Sequence, residues 1–327
     1  MATTNHGRRA PALLGVAGTA LATVAAAALA AVAVGPAAPA QAAGGSPVRA
    51  EHASQHDQSP SKSAAVGCPG AGQSVYAAGA RIVDADGGVV LTGVTPDQAL
   101  GSVTATATAR TGYPSAWSVV VYAVCDASSP PPFRVATTAT GSTTATATCP
   151  GQYHLTGTGF RFTGLVDHSY PDEVSIGPGL HSVRVHTGGP GTPAQVTAFA
   201  ICKRPTQPTG PPAVWVTASS DVDANWPKQV TAGDPASTRR IYGVGGMVEG
   251  GGGQVFLSAL VPDLDQDLAR VQAVRALPLP GALPLPGALP LPGAPPQPGG
   301  ARFAAAADDQ EAEGSVTAFG ILIGTFH

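Results

Sequence analysis

The chain has 327 residues and 32.2 kDa, with 42 glycines and 32 prolines making more than a fifth of it, 11% charged residues and 5% aromatic ones. Such a composition disfavours large helical architectures. With 17 Lys and Arg against 20 Asp and Glu, it also excludes a strongly basic nucleic-acid binder.

The first element in chain order is an export signal. Arg8 and Arg9 precede an uncharged run from Ala10 to Val34, and Ala40-Gln41-Ala42 supplies a small-x-small cleavage motif. Cleavage is expected after Ala42, which makes 1–42 a signal peptide and the mature chain a secreted, extracellular protein. Loss of the two arginines leaves five more acids than bases. That balance disfavours nucleic-acid partners and membrane surfaces. Residues 43–63 are polar and short of large apolar side chains, and are expected to be a flexible lead.

An internal repeat follows. Cys68-Pro69-Gly70 opens the first copy, Val75 to Ile82 forms its inner segment, and Ser118 to Cys125 closes it. Cys149-Pro150-Gly151, Leu155 to Phe162 and Val196 to Cys202 repeat the plan. A third copy matches at Ile241 to Val248 and Val316 to Leu322, with Asp234 and Leu322 at its cysteine positions. A Pro-Asp pair recurs at Pro96-Asp97, Pro171-Asp172 and Pro262-Asp263. The repeats are placed at 64–132, 133–212 and 213–327, with proline-rich turns at the boundaries.

Four cysteines allow three pairings. The repeat selects Cys68 with Cys125 and Cys149 with Cys202, because copy three lacks both partners together, and an unpaired thiol is a liability in an oxidising compartment. Closing loops of this length stabilises a chain by roughly 4 kcal/mol on the chain-entropy account. No cysteine pair has the short gap of a zinc knuckle.

Strict alternation from Val103 to Thr108, the apolar run Val119 to Val124, and the period at Val183, Val185 and Thr187 predict strands. Gly87-Gly88 and Gly252-Gly253 are turns before strands at Val89 and Val255. Only Asp267 to Ala276 and Ala304 to Glu313 have a helical look. The expected fold is all-β: three repeats of short antiparallel strands, each with its own small sheet, in a β-prism-like or Greek-key pseudo-threefold arrangement. Into copy three is inserted a proline-rich stretch, 277–298, built on three tandem Leu-Pro-Leu-Pro-Gly-Ala units. Alternate prolines favour extended polyproline segments there.

Chemistry is sparse. No nucleophile elbow, zinc-protease motif, phosphate loop or Cys-x-x-Cys occurs in the mature chain. His154, His168, His181 and His186 gather in copy two beside Asp167, Asp172 and Glu173, the residue types of an acid-base or metal site. Surface loops are the simpler place for them. Asp263-Leu264-Asp265-Gln266-Asp267 begins like a calcium loop but lacks its glycine and distant glutamate. Trp117, Trp215 and Trp226 could stack on sugar rings or fill one small core per copy. No catalytic, metal or cofactor-binding residue is assigned, and no cofactor is expected.

The Cys-Pro-Gly openings, the glycines before Arg81 and Arg161, and the Ala-Tyr/Phe-Ala-Val/Ile-Cys closing strands resemble uncharacterised secreted repeat proteins of high-GC actinobacteria, over about Ser61 to His327. A fainter likeness is to vitelline-membrane outer-layer proteins, threefold β-prisms with repeated disulfides. The resemblance implies no activity. The expectation is a non-enzymatic binding or envelope-associated scaffold for a cell-wall glycan or extracellular protein. The alternatives are a hydrolase using the copy-two histidines and a protease inhibitor projecting the proline-rich loop.

Overall fold

A computed structural model describes residues 46–164, 169–189, 191–205, 213–234, 236–277 and 313–324. The signal-like segment and nearly all of the proline-rich insertion lie outside these residues. Each copy contributes six strands. Copy one holds β1 (Val48–Ala53), β2 (Ser61–Gly67), β3 (Ser74–Val83), β4 (Val89–Pro96), β5 (Ser102–Ala109) and β6 (Ser118–Asp126). Copy two holds β7 (Phe133–Thr140), β8 (Thr144–Thr148), β9 (His154–Thr163), β10 (Tyr170–Ile176), β11 (Ser182–Gly188) and β12 (Gln195–Lys203). Copy three holds β13 (Val214–Ser219), β14 (Lys228–Gly233), β15 (Arg239–Gly250), β16 (Val255–Asp263), β17 (Leu268–Arg275) and β18 (Gly314–Gly324).

The sheets do not follow the copies. Sheet one runs β1-β6-β3-β16-β17-β14, sheet two β2-β5-β4-β9-β12-β7, and sheet three β13-β18-β15-β10-β11-β8. Each copy therefore gives three strands to one sheet and three to the next, closing a cycle with threefold pseudo-symmetry. The expectation of one sheet per copy is corrected on this point: pairing across copies covers what would otherwise be exposed edges.

The seams are short and equivalent. Ala80 and Arg81 pair with Leu260 and Ala259, Phe160 and Arg161 with Val94 and Gly93, and Gly246 and Met247 with Val174 and Glu173. A glycine precedes each seam because the neighbouring copy's backbone lies against it. A β-carbon on Gly79, Gly159 or Gly245 would stand 2.4, 2.6 or 2.4 Å from the carbonyl oxygen of Leu260, Val94 or Val174.

Two bulges per copy bend the strands. Tyr76, Thr156 and Tyr242 are extra residues in β3, β9 and β15, and Thr92, Asp172 and Ser258 in β4, β10 and β16. The first set converges: the Tyr76 and Tyr242 rings are 5.5 Å apart, and Thr156 Oγ1 donates to the Tyr76 carbonyl at 3.0 Å. Val90, Tyr170 and Phe256, each two residues before a bulge of the second set, meet in a separate buried cluster. The main core is formed by inward residues of all three sheets, with Trp117, Phe160, Leu91 and Ile321 among its largest side chains.

The sulfurs bond within copies, Cys68 to Cys125 (S–S 2.04 Å) and Cys149 to Cys202 (2.03 Å). Leu322 takes the register position of Cys125 and Cys202, facing Val214 and Ile241 where Cys125 faces Val48 and Val75.

Three further expectations change. The lead 43–63 is not flexible throughout, since Val48–Ala53 pairs with β6 and Ser61–Gly67 with β5; backbone pairing orders this polar stretch without much side-chain burial. Copy one accordingly begins near Val48. Asp267 to Ala276 is not helical: Leu268–Arg275 is strand β17, with alternating burial. The Pro-Asp landmark holds in two copies only. Pro96 and Pro262 occupy one position, against Gly159 and Gly79, but Ile176 is their counterpart against Gly245, and Pro171-Asp172 sits at the β10 bulge.

Candidate functional site

The sequence candidates scatter. His154 and His181 stack with ring centroids 4.9 Å apart, and His181 Nδ1 meets the Tyr153 carbonyl at 2.9 Å. Burial, then the neighbouring imidazole, pushes His154 below the usual histidine range. His186 pairs instead with Asp172, Nδ1 to Oδ1 at 2.7 Å, and this bond raises its pKa. Asp167 and His168 lie outside the described residues. Among the described residues no group of three or more His, Cys, Asp and Glu side chains is arranged to hold a metal.

The acidic run of copy three serves the fold. Asp263 Oδ1 accepts from the backbone of Asp265 and Gln266, its Oδ2 accepts from Arg270 Nε at 2.7 Å, and Asp267 pairs with Arg240 at 3.0 Å. A half-buried polar cluster beside the first bulges is likewise self-satisfied. Tyr242 donates to Asp126 Oδ2 at 2.7 Å, and Lys203 donates to Ser128 Oγ at 2.6 Å; burial raises Asp126 and lowers Lys203.

A groove of about 560 Å³ on sheet one has a different character. Ile82, Val89 and Val274 give it an apolar floor, Ser258 and Gln272 lie along it, and Arg81, Arg275, Asp84, Asp86 and Trp226 line it. Its lip is the β3–β4 turn, where Asp84, Asp86 and Gly87 all have positive φ. Tyr113 Oη donates to the Asp84 carbonyl at 3.0 Å, and His56 Nε2 lies 3.1 Å from Asp84 Oδ2. Leu277 N donates to the Gly87 carbonyl, and Arg110 donates to the Leu277 carbonyl. A β-carbon on Gly87 would collide with the Arg275 carbonyl at 1.9 Å, so the close approach requires glycine.

Trp226 reaches the groove from the β13–β14 connection, which Lys228 staples. The buried Lys228 ammonium bonds Asp223 Oδ1 (2.8 Å) and the carbonyls of Asp221 and Gly314, and lies 5.0 Å from the Trp226 ring centroid. Lys62 does the same for the β1–β2 connection, bonding Asp57 and the Gln55 carbonyl with its ammonium 4.8 Å from the Trp117 ring. Copy two has Thr143 at that position, where a tight turn replaces the longer connection.

The repeat provides an internal comparison. The registers place Pro60, Thr106, Ala109 and Arg161 on sheet two, and Gly141, His186, Gly189 and Met247 on sheet three, where sheet one has Trp226, Gln272, Arg275 and Arg81. Only sheet one joins an aromatic ring, two guanidiniums and a primary amide at these positions. Neither Arg81 nor Arg275 forms an ion pair with a carboxylate among the described residues. The combination is what sets sheet one apart, since Arg81 has Arg161 as its counterpart on sheet two and the Lys228–Trp226 contact repeats Lys62–Trp117 of copy one.

The tryptophans are not distributed one per copy. Trp117 is core, copy two has none, and Trp215 and Trp226 both belong to copy three. No protein-family model matches the chain, and no curated protein matches it.

Proposed function

We propose that the protein is a secreted, non-enzymatic binding scaffold that takes a cell-envelope glycan in the groove of sheet one. The two disulfides support an oxidising compartment. The observation that carries the reading is the one-sided decoration of a threefold frame: Trp226, Arg81, Arg275, Gln272 and the Asp84–Asp86 lip surround one groove of three equivalent positions. A sugar presents an apolar ring face and a rim of hydroxyls that both donate and accept. An indole suits the first, and planar guanidinium, amide and carboxylate groups suit the second. Guanidiniums and carboxylates together favour an uncharged chain over a polyanion, in keeping with the acidic balance of the mature protein.

The test is retention of the mature protein on purified cell-wall glycans, alongside capture from culture-supernatant proteins. Wild-type protein should bind a glycan and Trp226→Ala should lose at least tenfold in affinity. A protein partner captured with no glycan bound would replace the glycan in this reading.

A further inference from the structure

A second aromatic lies on the neighbouring sheet, and the repeat again says what it replaces. In copy one the Arg49 guanidinium covers the Tyr122 ring, 5.6 Å from its centroid. In copy two Arg134 covers Phe199 at 5.0 Å. The registers of β1 with β6, β7 with β12 and β13 with β18 put Trp215 and Phe319 at the same two positions of copy three. There the rings stack, centroids 6.1 Å apart and planes within 11°. Two copies thus cover the inner aromatic with a cation, and the third covers it with a flat, uncharged ring.

Trp215 is 38% exposed, whereas every other Phe, Tyr and Trp side chain among the described residues is half-buried or buried. It lies on β13, the edge strand of sheet three, where Thr217 and Ser219 follow at alternate, exposed positions. A protein interface of standard size buries about 800 Å² per partner around an apolar core. An isolated ring followed by hydroxyl-bearing residues offers no such core. It matches the size and mixed character of a single pyranose ring.

We infer that Trp215, held flat by Phe319, is a second stacking platform for the glycan, engaging another stretch of the polysaccharide that occupies the groove. The inference rests on the glycan reading and adds a site to it. Two contacts on one polymer raise apparent affinity through effective concentration, whereas a short fragment fills one site at a time.

The experiment uses purified cell-wall polysaccharide and its short oligosaccharide fraction against wild type, Trp215→Arg and Trp226→Ala. The arginine variant restores the pairing that the chain itself uses in copies one and two, so its fold should hold, with thermal unfolding as the check. Expected results are groove binding of the short fraction unchanged in Trp215→Arg, and at least a fivefold loss on the polymer. Polymer binding equal to wild type overturns the platform while leaving the groove intact. Loss by Trp215→Arg of a captured protein, with no loss on polymer, overturns it in favour of a protein contact. Unchanged binding in Trp226→Ala with loss in Trp215→Arg overturns the groove reading alone, and no glycan binding by wild type overturns both.

Discussion

Gly159 faces the carbonyl oxygen of Val94 across the seam between copies one and two, and a β-carbon would stand 2.6 Å from it. The contact is backbone, so a rotamer change cannot relieve it. Gly159→Ala should lower stability by about 1–3 kcal/mol, the range for overpacking in a close-packed interior. Gly101→Ala, whose nearest neighbour would be Asp97 Oδ2 at 3.6 Å, should be close to neutral. Thermal unfolding of the two variants side by side checks the contrast.

The disulfides close loops of 57 and 53 residues. Replacing both Cys149 and Cys202 by serine should cost about 2–5 kcal/mol. Urea titration of the variant, with wild type measured with and without reductant, gives the value. Reductant should destabilise wild type further than the double variant.

The staples formed by Lys62 and Lys228 make a prediction about loops. Lys62→Met leaves Asp57 and two backbone carbonyls without their shared donor, and should lower the thermal midpoint. Lys228→Met should also displace Trp226, because the same connection carries it. A shift in tryptophan emission should therefore accompany Lys228→Met and weaken glycan binding. Lys62→Met should leave binding unchanged at temperatures where it remains folded.

His186 gives the stability a pH dependence of defined sign. Its bond to Asp172 raises the folded pKa above the unfolded value of about 6.5. The stabilisation is thus fully present below that value and is lost as pH rises through the folded pKa. His186→Gln should lose most against wild type near pH 5.5 and least near pH 9, read from denaturant midpoints at each pH. His154 works in the opposite direction, its lowered pKa costing stability as pH falls below about 6.5.

The threefold repeat and most of its strands were legible in the sequence because both are local signals: Val75 to Ile82 and its two relatives align residue by residue, and Val103 to Thr108 alternates strictly. The pairing of copies was not legible. Whether Val94 lies beside Phe160 depends on backbone contacts of only two residue pairs per seam, which leave no pattern except the glycines at 79, 159 and 245. The misplaced Pro171-Asp172 landmark has the same origin, since it falls at a bulge and alignment by letter cannot see that Ile176 holds the place of Pro96. The polar strand at Val48–Ala53 was missed because an edge strand is fixed by its ladder more than by apolar side chains. The groove draws on residues from Arg81 to Leu277, which only the shared sheet brings together. One signal is present in the sequence: Trp215 and Trp226 fall in the copy that departs most from the repeat.

Hydrogen exchange of the protein with and without saturating cell-wall polysaccharide tests the central claim most directly. Protection is predicted at Arg81 to Val89, at Trp226 and its neighbours, and from Gln272 to Leu277, with the equivalent positions around Thr106 and His186 unchanged. Protection confined to those equivalent positions, or spread evenly over the three sheets, would contradict the assignment of one groove as the binding site.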